Sequence, residues 1–363
     1  MPSNADKRWM ALALSMGERG LGQTWPNPSV GCVIVKDNRV LGRGYTQSGG
    51  RPHAEVMALR QAGKKTHGAT AYVTLEPCAH TGKTPPCANA LIDAGISRVV
   101  IATTDPDARV AGKGTQMLRD AGINVTLDVL KKQADQAHAG FFSRIVENRP
   151  FVTLKLAISL DGRIATSTGD SQWITGDASR KYVHFLRATH DAVMVGRGTV
   201  IADNPSLNVR GIKEHGRQPV RIVMDSQMKS PAVGNLASTA KDIPVWFCHT
   251  KSASFDAWSD TGAISIPCAS ADGRVDISDA MTQLANAGLT RIFCEGGGTL
   301  AGALIQAGLV DQLIIMQAGV AIGADGTPSL GAMGNTVLKD AAHFDLQNVR
   351  QIGADTISVW AKP

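Results

Sequence analysis

The sequence predicts an α/β protein built as two domains, and three observations carry that expectation. The chain has 363 residues, more than a single hydrophobic core ordinarily organises. One junction occurs four times, as DAGISRVV, DAGINVTL, NAGLTRIF and QAGLVDQL. Each reads as a helix end, a glycine at the position just past the C-cap, and a β-rich run. Helices alternating with short apolar strands imply a largely parallel sheet covered by helices. The junctions are irregularly spaced, so they reflect shared α/β grammar and not a tandem repeat.

Composition narrows the function classes. Hydrophobic residues make up 43% and charged residues 19% of the chain, as in a soluble globular protein. The net charge of +6 comes from scattered lysines and arginines. A nucleic-acid reader concentrates such residues on one face or arm, whereas a mild, diffuse excess suits small anionic ligands. Six cysteines in no paired pattern indicate a reducing, cytoplasmic compartment. No apolar stretch is long enough to span a membrane.

Taken in chain order, the first element is an amphipathic helix. Trp9, Leu12, Ala13 and Met16 fall at helical spacing, and no small-residue cleavage site follows them, which argues against a signal peptide. A hairpin is expected next, from Val30 to Val35, through the turn KDNR, and onward from Val40. A helix from about His53 follows, then strand ATAYVTL, helix CANALIDA, strand RVVIATT, and a further helix and strand. Pro150 disfavours a helical residue before it, which sets the domain boundary near residue 148 and the domains at 1–148 and 149–363.

The second domain opens on FVTLKLAISLDGRIA. Val152, Leu154, Leu156, Ile158 and Leu160 alternate with Thr153, Lys155, Ala157 and Ser159, as in a strand with one face on the core. Under helices on both sheet faces, Lys155 is expected in the crevice at the strands' carboxyl ends, where ligands bind. In RIFCEGGGTLAGALIQ a strand is followed by Gly296 to Gly298 and a helix from Thr299. Backbone N–H groups at such a start bind phosphate oxygens. A tight turn explains three glycines equally well, and the G-x-G-x-x-G fingerprint is absent.

The chemistry-bearing pattern lies in PHAEVMALR and LEPCAHTGKTPPC. A catalytic zinc site takes three protein ligands and keeps a fourth position open, and His53, Cys78 and Cys87 supply three. Pro77 and the Pro85–Pro86 pair place each cysteine at an expected helix start, where the helix's positive end favours thiolate. A metal of this kind makes water nucleophilic near neutral pH, and Glu55 is the candidate proton carrier. Residues i and i+2 diverge on a regular helix, so that role needs the special geometry of a first turn. Alone, HAE is a solvated helix start and the cysteines are small buried hydrophobes. Together they match the zinc-deaminase signature H-x-E…P-C-x-x-C, with eight residues between the cysteines in place of two.

That longer gap, with TWPNPSVGCVIVKD and TLEPCAHTGKTPPC, closely resembles the deaminase half of the bifunctional riboflavin-biosynthesis deaminase/reductases. The resemblance runs on through DPDARVAGKG, LKLAISLDGRIA, SQWITG, VGRGTVIADNPSLNVR and EGGGTLAGALIQAGLVDQL, nearly the whole chain. It implies a cytidine-deaminase-like α/β/α domain that deaminates a diaminopyrimidinone ribosyl phosphate. It implies a second, dihydrofolate-reductase-like domain that uses NADPH to reduce the ribosyl group to ribityl; from its position, Lys155 is expected to help open the ribose ring or protonate it. By the same resemblance Asn27, Lys83 and Asp105 hold the pyrimidine and its phosphate. Lys155, Ser171, Arg187, Leu207, Arg210 and Glu295 line the second substrate site. Ala157, Trp173, Thr199, Asp203, Ser226 and the run Gly297, Gly298, Thr299 and Leu300 contact the cofactor. A homodimer or larger oligomer is implied as well. Thr46 stands where the family usually has histidine, and His80 is expected to orient the loop and not to close the metal site.

Two other readings are set beside this one: a nucleoside- or tRNA-editing deaminase with an unrelated appendage, and a non-catalytic zinc-stabilised binding protein. The eight-residue gap and the second domain's motifs oppose the first. The three-ligand count with Glu55 opposes the second, because structural zinc sites close with four ligands.

Overall fold

The computed structural model describes residues 3–80, 85–107, 111–212, 216–334 and 336–363. It forms two compact units, Met1–Asn148 and Arg149–Pro363, each with its own sheet.

In the first unit, α1 (Asn4–Glu18) starts from a Ser3–Asp6 capping box and buries Trp9, Met10, Ala13 and Met16. β1 (Gly31–Lys36) and β2 (Arg39–Tyr45) form the expected hairpin. Asp37 and Asn38 turn it at φ 50° and 57°, a region these two side chains tolerate better than most. α2 (Ala54–Ala62), β3 (Thr70–Val73), α3 (Cys87–Asp93), β4 (Arg98–Ile101), α4 (Lys113–Asp120), β5 (Asn124–Thr126) and α5 (Lys131–Phe142) follow. The sheet order is β2-β1-β3-β4-β5; β1 runs antiparallel to both its neighbours, and β3, β4 and β5 are parallel. Strand alternation divides the core. Cys32, Ile34, Ala71, Val73, Val99 and Ile101 pack on one face with residues of α2, α3 and α4. Val33, Val35, Tyr72 and Val100 pack on the other with α1 and Ala134 of α5.

The second unit begins with β6 (Phe151–Ile158) and β7 (Arg163–Ala165), then α6 (Asp177–Ala188), β8 (Ala192–Gly196), α7 (Arg197–Asp203) and β9 (Val220–Met224). α8 (Asn235–Ser238), β10 (Val245–Thr250), β11 (Ile264–Cys268), β12 (Ser270–Ala271), β13 (Arg274–Val275) and α9 (Ile277–Asn286) come next. β14 (Arg291–Cys294), α10 (Gly298–Gln306), β15 (Gln312–Gln317), β16 (Thr327–Pro328), β17 (Asp345–Ile352) and β18 (Asp355–Ala361) complete it. The main sheet has the order β11-β10-β9-β8-β14-β6-β15-β18-β17. From β11 to β15 all pairings are parallel, and β18 and β17 add an antiparallel hairpin.

The four repeated junctions behave as their sequence predicts. Gly95, Gly122, Gly288 and Gly308 have φ of 67°, 79°, 103° and 65°, directly after the C-caps of α3, α4, α9 and α10. A side chain there would oppose the left-handed backbone that ends each helix.

The alternation in β6 needs two corrections. Thr153 and Ser159, assigned to the non-core face, are fully buried, because both faces of the strand are covered; the Thr153 hydroxyl meets Nε2 of buried His190 at 3.0 Å. Leu160, assigned to the core, is 62% exposed. The strand ends at Ile158, and the Ser159 hydroxyl donates to Asp161 Oδ1 in the turn that follows.

Candidate functional site

His53 is the N-cap of α2, with φ −71° and ψ 161°, and Glu55 lies in that helix's first turn. Because His53 is extended and not helical, the divergence of i and i+2 side chains does not apply. Cys87 is the first residue of α3. Cys78 corrects an expectation: it lies in an irregular segment and not at a helix start. It still feels a helix start, because the Cys87 backbone N–H of α3 donates to its Sγ at 3.3 Å.

The ligand atoms of His53, Cys78 and Cys87 all lie within 4.8 Å of one another. His53 Nδ1 is 3.2 Å from Cys87 Sγ and 3.7 Å from Cys78 Sγ. Tetrahedral zinc, bonded to nitrogen at ~2.0 Å and sulfur at ~2.3 Å, holds such atoms about 3.6 Å apart. The donor set and its spacing therefore fit zinc with a fourth position left over. Hydrogen bonding from Cys87, side chain and backbone, holds the Cys78 thiol down to about 4 against the effect of burial. Cys87, beside that thiolate, keeps its proton more tightly. Glu55 is buried, and burial pushes its carboxyl up while the His53 imidazole pulls the other way. A carboxyl raised by burial can carry a proton nearer neutral pH. His80 is exposed and outside this group of ligands.

The expected substrate residues of this unit are placed less completely. Asn27 packs against Gly50, in the loop leading to His53; a Cβ on Gly50 would lie 1.9 Å from Asn27 Nδ2. Asp105 is buried just past β4, and its Oδ1 accepts the Asp107 N–H at 2.8 Å. Lys83 lies outside the described residues. The Thr46 hydroxyl accepts the Val30 N–H at 3.0 Å, so it is committed to the loop before β1.

In the second unit a cavity of about 1600 Å³ opens at the carboxyl ends of four adjacent parallel strands. β6 supplies Lys155 and Ala157, β8 leads into Gly196–Thr199, β9 into Ser226, and β14 into Glu295–Leu300. Ser171, Trp173, Arg187, Asp203 and Arg210 line it too, and Trp173 is 68% exposed and no core residue. Arg187 grips Glu295 through two bonds, of 2.5 and 3.1 Å, and donates to the Asn208 carbonyl at 3.0 Å. Burial alone would raise the Glu295 carboxyl, but Arg187 and Lys155 outweigh it and hold it low. Burial pushes the Lys155 ammonium down, with Glu295 opposing and Arg187 adding to the effect.

The cofactor end also fits its expected occupant. Gly198 and Gly297 have no positive φ and almost nothing near where a Cβ would stand, so no turn requires them. Side chains there would fill the cavity against the uncapped start of α10, which is the backbone approach a dinucleotide's phosphates use. α10 itself begins at Gly298, one residue before the expected start.

Leu207 is the exception among the expected residues. It is 3% exposed and packs with Val193, Val223 and Met228 in the core instead of on the cavity wall. Its φ of 53° lies in the left-handed region, a backbone state sequence alone does not announce for leucine. Among the lining residues that had not been singled out, two are polar groups of note. His184 receives the Arg210 N–H on Nδ1 at 3.2 Å, and Arg274 lies on the β12–β13 hairpin. The i, i+3 spacing from Arg187 on α6, which puts both on one face, was the available signal for His184.

Comparison with known proteins covers both units. The zinc-binding region of cytidine and deoxycytidylate deaminases matches residues 3–103, and the RibD C-terminal domain matches residues 150–358. The riboflavin biosynthesis protein RibD of Escherichia coli K12 is 43% identical over 362 residues, covering 96% of this chain and 97% of that protein. Its Aquifex aeolicus counterpart is 38% identical, covering 97% of each. The solved structure of Acinetobacter baumannii RibD, form 2, superposes with a TM-score of 0.89 at 37% identity, covering 99% of both chains. The Thermotoga maritima deaminase/reductase gives 0.88 at 33%, with the same coverage.

Proposed function

The chain belongs to the RibD family of riboflavin-biosynthesis deaminase/reductases, and on that premise we propose how its residues divide the two reactions. The enzyme deaminates 2,5-diamino-6-(5-phosphoribosylamino)pyrimidin-4(3H)-one and reduces the ribosyl group of the resulting aminouracil to ribityl. We assign the first reaction to residues 1–148 and the second to residues 149–363, in keeping with the two compact units.

The observation that carries the deaminase assignment is the His53, Cys78 and Cys87 donor set, with buried Glu55 in the first turn of the helix that His53 caps. Zinc, when bound there, supplies the Lewis acidity that makes water nucleophilic near neutral pH. Glu55 takes the proton from the attacking water and returns it to the departing amino group. Asn27, Lys83 and Asp105 bind the pyrimidine and its phosphate.

In the reductase unit Lys155, Arg187, Arg210 and Glu295 line a cavity whose walls also carry Arg180, Arg197 and Arg274 and the carboxylates Asp203, Asp225, Asp272 and Asp276. The cations Lys155, Arg187 and Arg210 suit a phosphate monoester, and a guanidinium fork matches its oxygens. NADPH, when bound, supplies the hydride. Gly198 and Gly297 leave its phosphates room, and Trp173, Thr199, Asp203 and Ser226 border the same space. Lys155 holds a proton at Nζ for the opening ribose, and a depressed ammonium yields it more readily.

Among the described residues no helix is long and apolar enough to cross a membrane. Six free cysteines suit a reducing, cytoplasmic setting. We further infer a homo-oligomer joined through β17, an edge strand exposed from Asp345 to Gln351, with Leu346 and Val349 52% and 55% exposed. Light scattering that finds a monomer at micromolar concentration contradicts that inference.

The deciding experiment supplies the diaminopyrimidinone substrate and follows ammonia release, then NADPH loss. Glu55→Gln abolishes the first signal and leaves reduction of pre-deaminated substrate intact. Normal deamination by that variant refutes the role of Glu55.

A further inference from the structure

Glu76 stands two residues before Cys78, is 3% exposed, and has no part in the chemistry above. Its carboxylate reaches across to α4, where Oε2 accepts the Gly112 N–H at 3.0 Å and Oε1 the Thr115 N–H at 2.9 Å. The N-cap of α4 is Gly112, which has no side chain to cap with, so the cap comes from 36 residues away in the chain. The backbone N–H of Glu76 donates to the Thr103 carbonyl at 3.0 Å. One residue thus ties down both Thr103 and Gly112, the positions that bracket Asp105. The close seat is reinforced at Gly114, where a Cβ would lie 1.9 Å from the Pro77 carbonyl oxygen.

We propose that Glu76 is a positioning residue for deamination, splinting the segment that supplies Cys78 to the segment that carries Asp105. A cap whose only task was to stabilise α4 would ordinarily come from the N-cap side chain. Here the acceptor is drawn from the metal-ligand segment, so one carboxylate links that segment to the start of α4, just past the segment that carries Asp105. This rests on residues 1–148 being the deaminase and on Asp105 touching substrate.

The test uses the full-length, zinc-loaded chain. Glu76→Gln keeps one acceptor and sets an amide NH₂ against the second backbone N–H. The expected result is a KM for the diaminopyrimidinone ribosyl phosphate raised about 10- to 100-fold, the scale of lost hydrogen bonds to a charged group. kcat stays within about threefold, because His53, Glu55, Cys78 and Cys87 are unaltered. Zinc remains stoichiometric, and reduction of pre-deaminated substrate matches wild type. Gly114→Ala, which pushes α4 off the Pro77 carbonyl and meets Glu76 only at Cγ, 3.5 Å away, reproduces the KM rise. A Glu76→Gln KM within twofold of wild type overturns the proposal. Loss of zinc in step with activity also overturns it, since Glu76 would then serve only the fold or the metal. If wild-type chain releases no ammonia from this compound, the deaminase reading fails first and takes the proposal with it.

Discussion

His53 stands one residue outside a helix, and its extended backbone is what the proposed shared centre requires of a histidine and a glutamate two positions apart. Sequence spacing states the residues but not this conformation, so the clustering of the three candidate ligands was legible while the backbone that sets Glu55 beside them was not. Lys155 is the corresponding single residue of the other unit. Lys155→Met is expected to cut reduction of pre-deaminated substrate at least about 100-fold, the usual scale for a lost proton carrier, and to leave ammonia release unchanged. An unaltered rate of NADPH oxidation removes Lys155 from the mechanism. Buried His190 gives a prediction about stability. Burial holds its imidazole down to about 3, whereas in the unfolded chain it titrates near the ordinary value of about 6.5. Between these values the unfolded chain binds a proton that the folded chain refuses, so stability falls as pH drops from about 6.5 toward 3. His190→Gln flattens this decline in urea midpoint between pH 7 and pH 4, and an unchanged slope counts against it.

Helix–strand junctions were the most legible elements, because a glycine past a C-cap answers a local steric demand that needs no tertiary partner. The hairpin turn at Asp37–Asn38 was readable for the same reason. The segment around Cys78 was not. Its course depends on Glu76 reaching α4 and on α3 offering an N–H, contacts 36 and 9 residues away in sequence. The alternation in β6 located Lys155 in the crevice but misjudged Thr153 and Leu160, since period two says nothing about a second covered face or where the strand stops. At element scale the β12–β13 hairpin carries a specificity prediction. The Val275 N–H donates to Ser226 Oγ at 3.0 Å, which seats Arg274 beside an expected cofactor contact. Arg274→Ala should raise the KM for NADPH about tenfold and leave that for NADH unaltered, as expected of a guanidinium reading the 2′-phosphate. Equal effects on both cofactors argue that the hairpin reads something else.

At the scale of the molecule, two sheets with separate cores lead to the expectation that the two proposed chemistries fail independently. Dialysis against a zinc chelator is expected to stop ammonia release while NADPH oxidation with pre-deaminated substrate continues, and added Zn²⁺ restores the first. Loss of both activities together contradicts that independence. The division into two α/β units was legible from length and the repeated junctions. The strand order was not, because β14 inserts between β8 and β6, and that choice follows from long-range packing. The insertion brings Glu295 beside Lys155 and Arg187, and with Arg210 these form the cationic end proposed to hold the substrate's phosphate. Assay composition then becomes part of the measurement: sulfate or inorganic phosphate in a buffer acts as a competitive inhibitor of the reductase. Kinetics taken in Tris or HEPES will report a tighter enzyme than the same chain shows in a phosphate medium.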